Sequence, residues 1–154
     1  MILQIDDTDL RILRELQDHP DLAVTDLATR IGLSHTPCWR RMKRLEEAGV
    51  ISGRAVLIDP AAVGYEISVF ASIKIKQHDE ETLEAFEAAV GRCPQIVECF
   101  SMSGDADYIL RIVTRSVSDY EALMKKVILH LPGVGSINSS FALKRIKLTT
   151  KIPV

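Results

Sequence analysis

LATRIGLSHTPCWRRMKRLEEAGV, Leu27–Val50, decides how the first half of the chain folds. Its apolar residues fall at helical spacing twice, through Leu27, Ala28 and Ile31 and again through Cys38, Met42 and Leu45, with Gly32 between the two runs. Ser34 offers a hydroxyl to the free amides of a first turn, and Pro37 stands where no donor is lost, so a capped helix is expected up to Ala48, closed by Gly49. Two helices joined by the tight turn Ile31-Gly32-Leu33 form a helix-turn-helix, whose later helix enters the major groove of DNA.

The charge pattern agrees with that reading. With Cys38, Met42 and Leu45 turned to the core, His35, Thr36, Trp39, Arg40 and Lys43 project from the other side, with Arg41 and Arg44 beside them. Arginine and lysine neutralise phosphates, while residues at the helix N-terminus reach base edges. From Ser34 to Arg54 five basic residues stand against Glu46 and Glu47, inside a chain whose net charge is −2. A plainer reading pairs Arg40 or Lys43 with Glu46 or Glu47 along a solvated helix. Trp39 also has two readings, an aromatic half buried against its own domain or a DNA contact.

Upstream, Asp6, Asp7 and Asp9 precede Leu10, Leu13 and Leu16, as suits a helix N-terminus, and Pro20 stops that helix. Downstream, VISGRAVLID (50–59) reads as a small β-hairpin turning at Ser52 and Gly53, a wing that brings Arg54 to the DNA backbone.

The second half changes period. EISVFASIKIK (66–76) alternates, with Ile67, Val69, Ala71, Ile73 and Ile75 on one face. A helix follows over 79–92 with Leu83, Phe86 and Val90 inward, then strands QIVECFSM (95–102) and YILRIV (108–113) around the turn SGDAD. A helix with Val117, Tyr120, Leu123, Val127 and Leu131 on one face precedes a last strand, SINSSFALKRIKL (136–148). The chain is therefore expected to be α+β, a winged helix-turn-helix over 1–58, a linker over 59–65, and a ferredoxin-like βαββαβ sandwich over 66–154. Two helices cover one face of its sheet. The other carries Phe70, with Ala142 and Ile146, and an uncovered apolar face predicts dimers.

Several classes are disfavoured. No apolar run approaches the roughly 20 residues of a membrane span, and the opening lacks a basic region followed by an apolar block, so a cytoplasmic protein without membrane attachment is expected. Cys38, Cys93 and Cys99 show neither disulfide nor zinc spacing and read as small buried hydrophobes, a reactive thiol being the alternative. An enzyme is the main rival class, with Asp105, Asp107 and His130 as an imaginable set, but there is no nucleophile elbow, phosphate loop or Cys/His cluster. No catalytic residue, metal site or cofactor is assigned. His19, His35 and His78 read as surface or helix-end residues. By itself SGDAD is a hairpin turn.

The stretches DDTDLRILRELQ, LATRIGLSHTPCWRRMKRLEEAGVI, SGDADYILRI and LPGVGSINSSFALKRIK together resemble the Lrp/AsnC family of bacterial and archaeal regulators over nearly the whole length. The resemblance implies a winged helix-turn-helix joined to a ligand-binding α/β sandwich that dimerises through its sheets, dimers often assembling into octamers. It also implies an amino-acid effector between dimers, near the turn that matches Gly104, Asp105 and Asp107 and near Ser139, Ser140 and Phe141. Chemically this is coherent, since glycine lets backbone amides approach a carboxylate and an aspartate can hold an ammonium. Asp107 is the candidate for the ammonium, and Met102 for shaping the side-chain pocket. Ala23 stands where the family commonly places a Ser or Thr cap, which leaves Asp21 or Thr25 for that role. The SHTPCWRR stretch and the ending SSFALKRIKLTTKIPV resemble a branch whose genes often adjoin amino-acid transport or breakdown genes. The expected function is a sequence-specific transcriptional regulator responding to an amino acid; the alternative is an architectural protein that wraps DNA without an effector.

Overall fold

The computed structural model describes residues 4–154; residues 1–3 of the expected first domain lie outside the described residues. The chain forms two compact units, one comprising the described residues up to Leu57 together with Lys147–Val154, the other Ile58–Ile146.

The first unit holds α1 (Asp7–Asp18), α2 (Val24–Ile31) and α3 (His35–Glu47). Asp6 caps α1 in a reciprocal box: the Asp9 amide donates to Asp6 Oδ1 at 2.9 Å, and the Asp6 amide donates to Asp9 Oδ2 at 3.2 Å. Helix α2 starts at Ala23 with no side-chain cap. Neither Asp21 nor Thr25 supplies one, because the first lies two residues upstream of the cap position and the second is already helical. Gly32 ends α2 at φ +71°, a left-handed conformation in which Leu33 N–H donates back to the Ala28 carbonyl. Ser34 occupies the cap position of α3 in extended conformation, but its hydroxyl makes no capping bond. Ile12, Leu27, Ala28, Ile31, Cys38, Met42 and Leu45 form the core.

The expected hairpin of the wing is not formed as a ladder. Val50 and Ile51 amides donate to the Leu45 carbonyl, after which the chain has no strand before Ile67. Val56, Leu57 and Ile58 are largely exposed. Two arms as short as those around Ser52-Gly53 give too little cross-strand packing to hold a hairpin alone.

The second unit is built from β1 (Ile67–Ile75), α4 (Glu80–Gly91), β2 (Ile96–Ser101), β3 (Tyr108–Thr114), α5 (Val117–Lys126) and β4 (Val134–Phe141), in sheet order β2-β3-β1-β4 with every pair antiparallel. This is the expected βαββαβ order. The alternation of β1 buries Val69, Ala71, Ile73 and Ile75 beneath the helices, with Phe86, Val90, Tyr120 and Ile128. The opposite face carries Phe70 and Phe100, both partly exposed.

Two elements are shorter than the sequence implies. Helix α5 ends at Lys126, and a separate 3-10 turn, Ile128–His130, places Ile128 and Leu131 in the core. Strand β4 ends at Phe141 rather than near Leu148; Val69 pairs with Phe141, Ala142 N–H to the Ser68 carbonyl is the last bond, and beyond that pair β1 has only Ser68 and Ile67, too few to carry a strand to Leu148. Ala142 and Ile146 therefore lie beyond the sheet, not on its open face. The last eight residues also depart from the expected 66–154 division, packing with the helical unit.

Gly133 sits at φ +73°, and a Cβ there would lie 2.3 Å from Thr82 Cγ2 and 3.2 Å from Ile75 Cγ2. Gly133→Ala is expected to lower the stability of this unit by about 2 kcal/mol, from left-handed strain and overpacking. Urea denaturation followed by circular dichroism measures it.

Candidate nucleic-acid interface and effector site

Helix α3 presents two chemically distinct sides. His35, Thr36, Trp39, Arg40 and Lys43 are all exposed, while Cys38 and Leu45 are fully buried. Trp39 retains 46% exposure, and the Lys43 ammonium lies 5.2 Å from its ring centroid. Lys43 also lies 3.7 Å from Glu47, one helical turn on, a solvated pair of the kind the plainer reading expects. Arg40 has no ion-pair partner among the described residues. Arg54 approaches Glu46 at 3.8 Å.

Arg41 and Arg44 are engaged elsewhere. Asp9, with its side chain wholly buried, accepts from Arg41 Nη1 at 2.8 Å and from Arg44 Nη2 at 2.5 Å; Arg41 also donates to both oxygens of Asp6, at 2.9 and 2.7 Å. The Asp6 carboxyl is held below the usual carboxylate range, first by the Asp9 amide and then by Arg41. These two arginines fasten α3 to the start of α1. The sequence contains the signal, an acidic cluster facing a basic helix, but the pairing across 32 to 35 residues follows only from the fold.

The turn after β2 brings Met102, Gly104, Asp105 and Asp107 together. Met102 N–H donates to the Asp107 carbonyl at 2.9 Å, Gly104 turns at φ +118°, and Asp105 is exposed. Asp107 is held on β1: its amide donates to the Ile73 carbonyl at 2.9 Å and its Oδ2 accepts from Ile75 N–H at 2.7 Å. Its Oδ1 lies 2.8 Å from His78 Nε2. The Ile75 amide, and after it His78, hold the Asp107 carboxyl below the usual range, so it is charged at neutral pH. The anchoring of the turn is thus complete above the ordinary carboxylate range and is lost as pH falls through the lowered value. Each oxygen keeps a lone pair for another donor. His78, read from sequence as a surface residue, is part of this cluster.

The other candidates point elsewhere. Ser139 Oγ lies 2.5 Å from the Tyr120 hydroxyl, and Phe141 meets the Tyr120 ring edge-on at 5.3 Å, both on the helix side of the sheet. With Val117, Met124 and Lys125 they line an open groove of about 320 Å³. Ser140 pairs with Phe70 and shares its open face. One chain therefore does not gather all seven residues around one cavity: β1 separates the Asp107 turn from β4. Tyr120 was legible only as a core residue, since its spacing is that of the buried stripe. Burial raises the Cys38 and Cys99 thiols, with Glu87 adding to the effect at Cys99, which disfavours the thiolate a reactive cysteine needs.

A profile of the Lrp/AsnC ligand binding domain matches residues 68–152, and one described as winged helix-turn-helix DNA-binding matches residues 5–52. The chain belongs to the Lrp/AsnC family. Across 98% of its length it is 39% identical to the Bkd operon transcriptional regulator of Pseudomonas aeruginosa, covering 99% of that protein. An AsnC family transcriptional regulator from Agrobacterium tumefaciens superposes with a TM-score of 0.89 at 44% identity, over 96% of each chain. A Neisseria meningitidis transcriptional regulator crystallised with L-methionine superposes with a TM-score of 0.90 at 34% identity, over 97% of each chain. This Lrp/AsnC protein is a DNA-binding transcriptional regulator that pairs a winged helix-turn-helix with the family's ligand-binding domain. Among its described residues no helix is long and apolar enough to cross a membrane.

Proposed function

We propose that this regulator reads operator DNA with the exposed side of α3 as a two-fold dimer, and that an amino acid bound between copies of the ligand-binding domain changes its affinity for DNA. The observation that carries the proposal is the division of labour on α3. Asp9 holds Arg41 and Arg44, which leaves His35 and Thr36 for base edges and Arg40 and Lys43, with Arg54, for phosphates. Trp39 then adds an exposed aromatic surface beside Lys43. The partly exposed Phe70 and Phe100 on the open sheet face favour pairing between copies, and further assembly into octamers agrees with effector residues that face in different directions. Genes of amino-acid transport or breakdown are the proposed targets.

For the effector, Asp107 holds the ammonium, Gly104 and Asp105 shape the turn around the carboxylate, and Met102 borders the side chain; Ser139, Ser140 and Phe141 of a neighbouring copy close the site. L-Methionine in the Neisseria relative supports the ligand class. Fluorescence anisotropy of labelled operator, titrated with and without each amino acid, tests the reading. Affinity unchanged by all twenty favours effector-independent wrapping instead. Asp107→Ala is expected to weaken the effective amino acid by about tenfold, the loss of one charge-assisted hydrogen bond. Calorimetry of both proteins checks it. Equal affinities mean that the turn holds no ammonium.

A further inference from the structure

The last eight residues belong to the helical unit, so the chain passes between its two units twice, once after Leu57 and again after Ile146. What holds them is specific. Arg14, Gln17 and Asp18 lie on one face of α1. Gln17 Nε2 donates to the Ile152 carbonyl at 3.0 Å while Gln17 Oε1 accepts from the Ile152 amide at 2.6 Å, the paired bonds that a neighbouring strand would make. Arg14 Nε donates to the main-chain oxygen of Val154 at 2.7 Å, and Lys151 pairs with Asp18. The segment is also shaped from within. The Lys151 amide donates to Thr149 Oγ1, and the Val154 amide closes a three-residue turn around Pro153 by donating to the Ile152 carbonyl. Ile152 remains 66% exposed, so the recognition is of backbone and not of apolar side chains.

We infer that Thr149–Val154 is a clasp on α1, and that it couples the end of strand β4 to the DNA-binding domain. Strand β4 ends at Phe141, beside Ser139 and Ser140, and only the seven residues Ala142–Leu148 separate it from the clasp. The coupling rests on the effector reading proposed above; the clasp does not. Exposed polar bonds of this kind are individually weak, and the tether keeps the segment at high local concentration. Such an element is held yet releasable, as a two-state coupling device requires. A ligand that draws on the end of β4 changes the occupancy of the clasp, and through it the presentation of α1 and the α3 fastened to it.

Two measurements on the full chain test this. Asp18→Cys with Lys151→Cys, which leaves the Gln17 and Arg14 bonds in place, in a Cys99→Ser background where Cys38 and Cys93 are buried, is treated with a short bismaleimide. A cross-link within one chain is expected. No cross-link, or one only between chains, overturns the clasp as described. Second, Arg14→Ala with Gln17→Ala is expected to reduce the effector-induced change in DNA affinity to less than about twofold, while affinity for the amino acid stays within about twofold of the unaltered protein. Lys151→Glu, which makes the Asp18 contact repulsive without touching α1, gives the same result if the double variant misfolds. Unaltered coupling in both overturns the inference. If the unaltered protein shows no shift with any amino acid, the sensing reading and the coupling fail together, and the cross-link still decides the clasp.

Discussion

Asp9→Ala is expected to lower the stability of the helical unit by about 3 kcal/mol, a larger effect than any exposed charge in the molecule would give. The buried carboxylate accepts from Arg41 and Arg44 of α3 and from the Asp6 amide at the cap of α1. Its removal undoes half of the capping box, the Arg44 tie and one of the Arg41 ties in one step, leaving Arg41 on Asp6. The arginines are themselves partly exposed and recover some hydration, which keeps the loss from the upper end of the range for buried ion pairs. Urea denaturation followed by the fluorescence of Trp39, the single tryptophan and part of α3, reports on this unit. DNA affinity should fall in proportion to the unfolded fraction and recover on cooling or with a stabilising osmolyte. A variant that melts like the unaltered protein would show that the Asp9 pairs contribute nothing to the fold, and would return Arg41 and Arg44 to the DNA-contact set.

Arg40→Ala with Lys43→Ala should behave in the opposite way, with stability unchanged and operator affinity reduced by about a hundredfold. Both side chains are exposed on α3, and neither takes part in the Asp9 network. Two lost phosphate contacts per chain should also flatten the dependence of log Kd on log salt by about two per chain. Anisotropy at two or more salt concentrations, with urea melts as the control, separates this from misfolding. His35 or Thr36 substitutions should change which sequences bind while leaving the salt slope in place, since base contacts carry discrimination and phosphates carry ionic affinity. An unchanged slope in the Arg40/Lys43 variant would move the phosphate-facing surface away from this side of α3.

These two predictions divide a set of residues that the sequence presented as one. Arg40, Arg41, Lys43 and Arg44 lie within five residues of the chain, and at about 100° per residue they fan over an arc of about 160° that reaches the border of the buried side. The apolar positions Cys38, Met42 and Leu45 identify the buried side correctly, and the three-helix order follows from Gly32 and the periodicities around it. Whether a basic residue at the border of that side meets water, phosphate or protein depends on what lies across from it. The cap of α1 lies across from Arg41 and Arg44, and no local pattern announces it.

The sequence by itself determined the α+β class, the order of the helices in the first unit and of helices and strands in the second, the faces that are buried, and the turn that carries Gly104, Asp105 and Asp107. Hydrophobic periodicity and turn residues are local properties, and each of these features is a local consequence of them. Only the tertiary structure decided that Asp9 holds two arginines, that His78 and the Ile75 amide hold Asp107, that β4 stops pairing with β1 at Phe141, and that Thr149–Val154 lie on α1. Each of these is a pairing between polar groups far apart in sequence, and the free energy of such a pair depends on the distance and burial that folding imposes rather than on the identity of either residue alone.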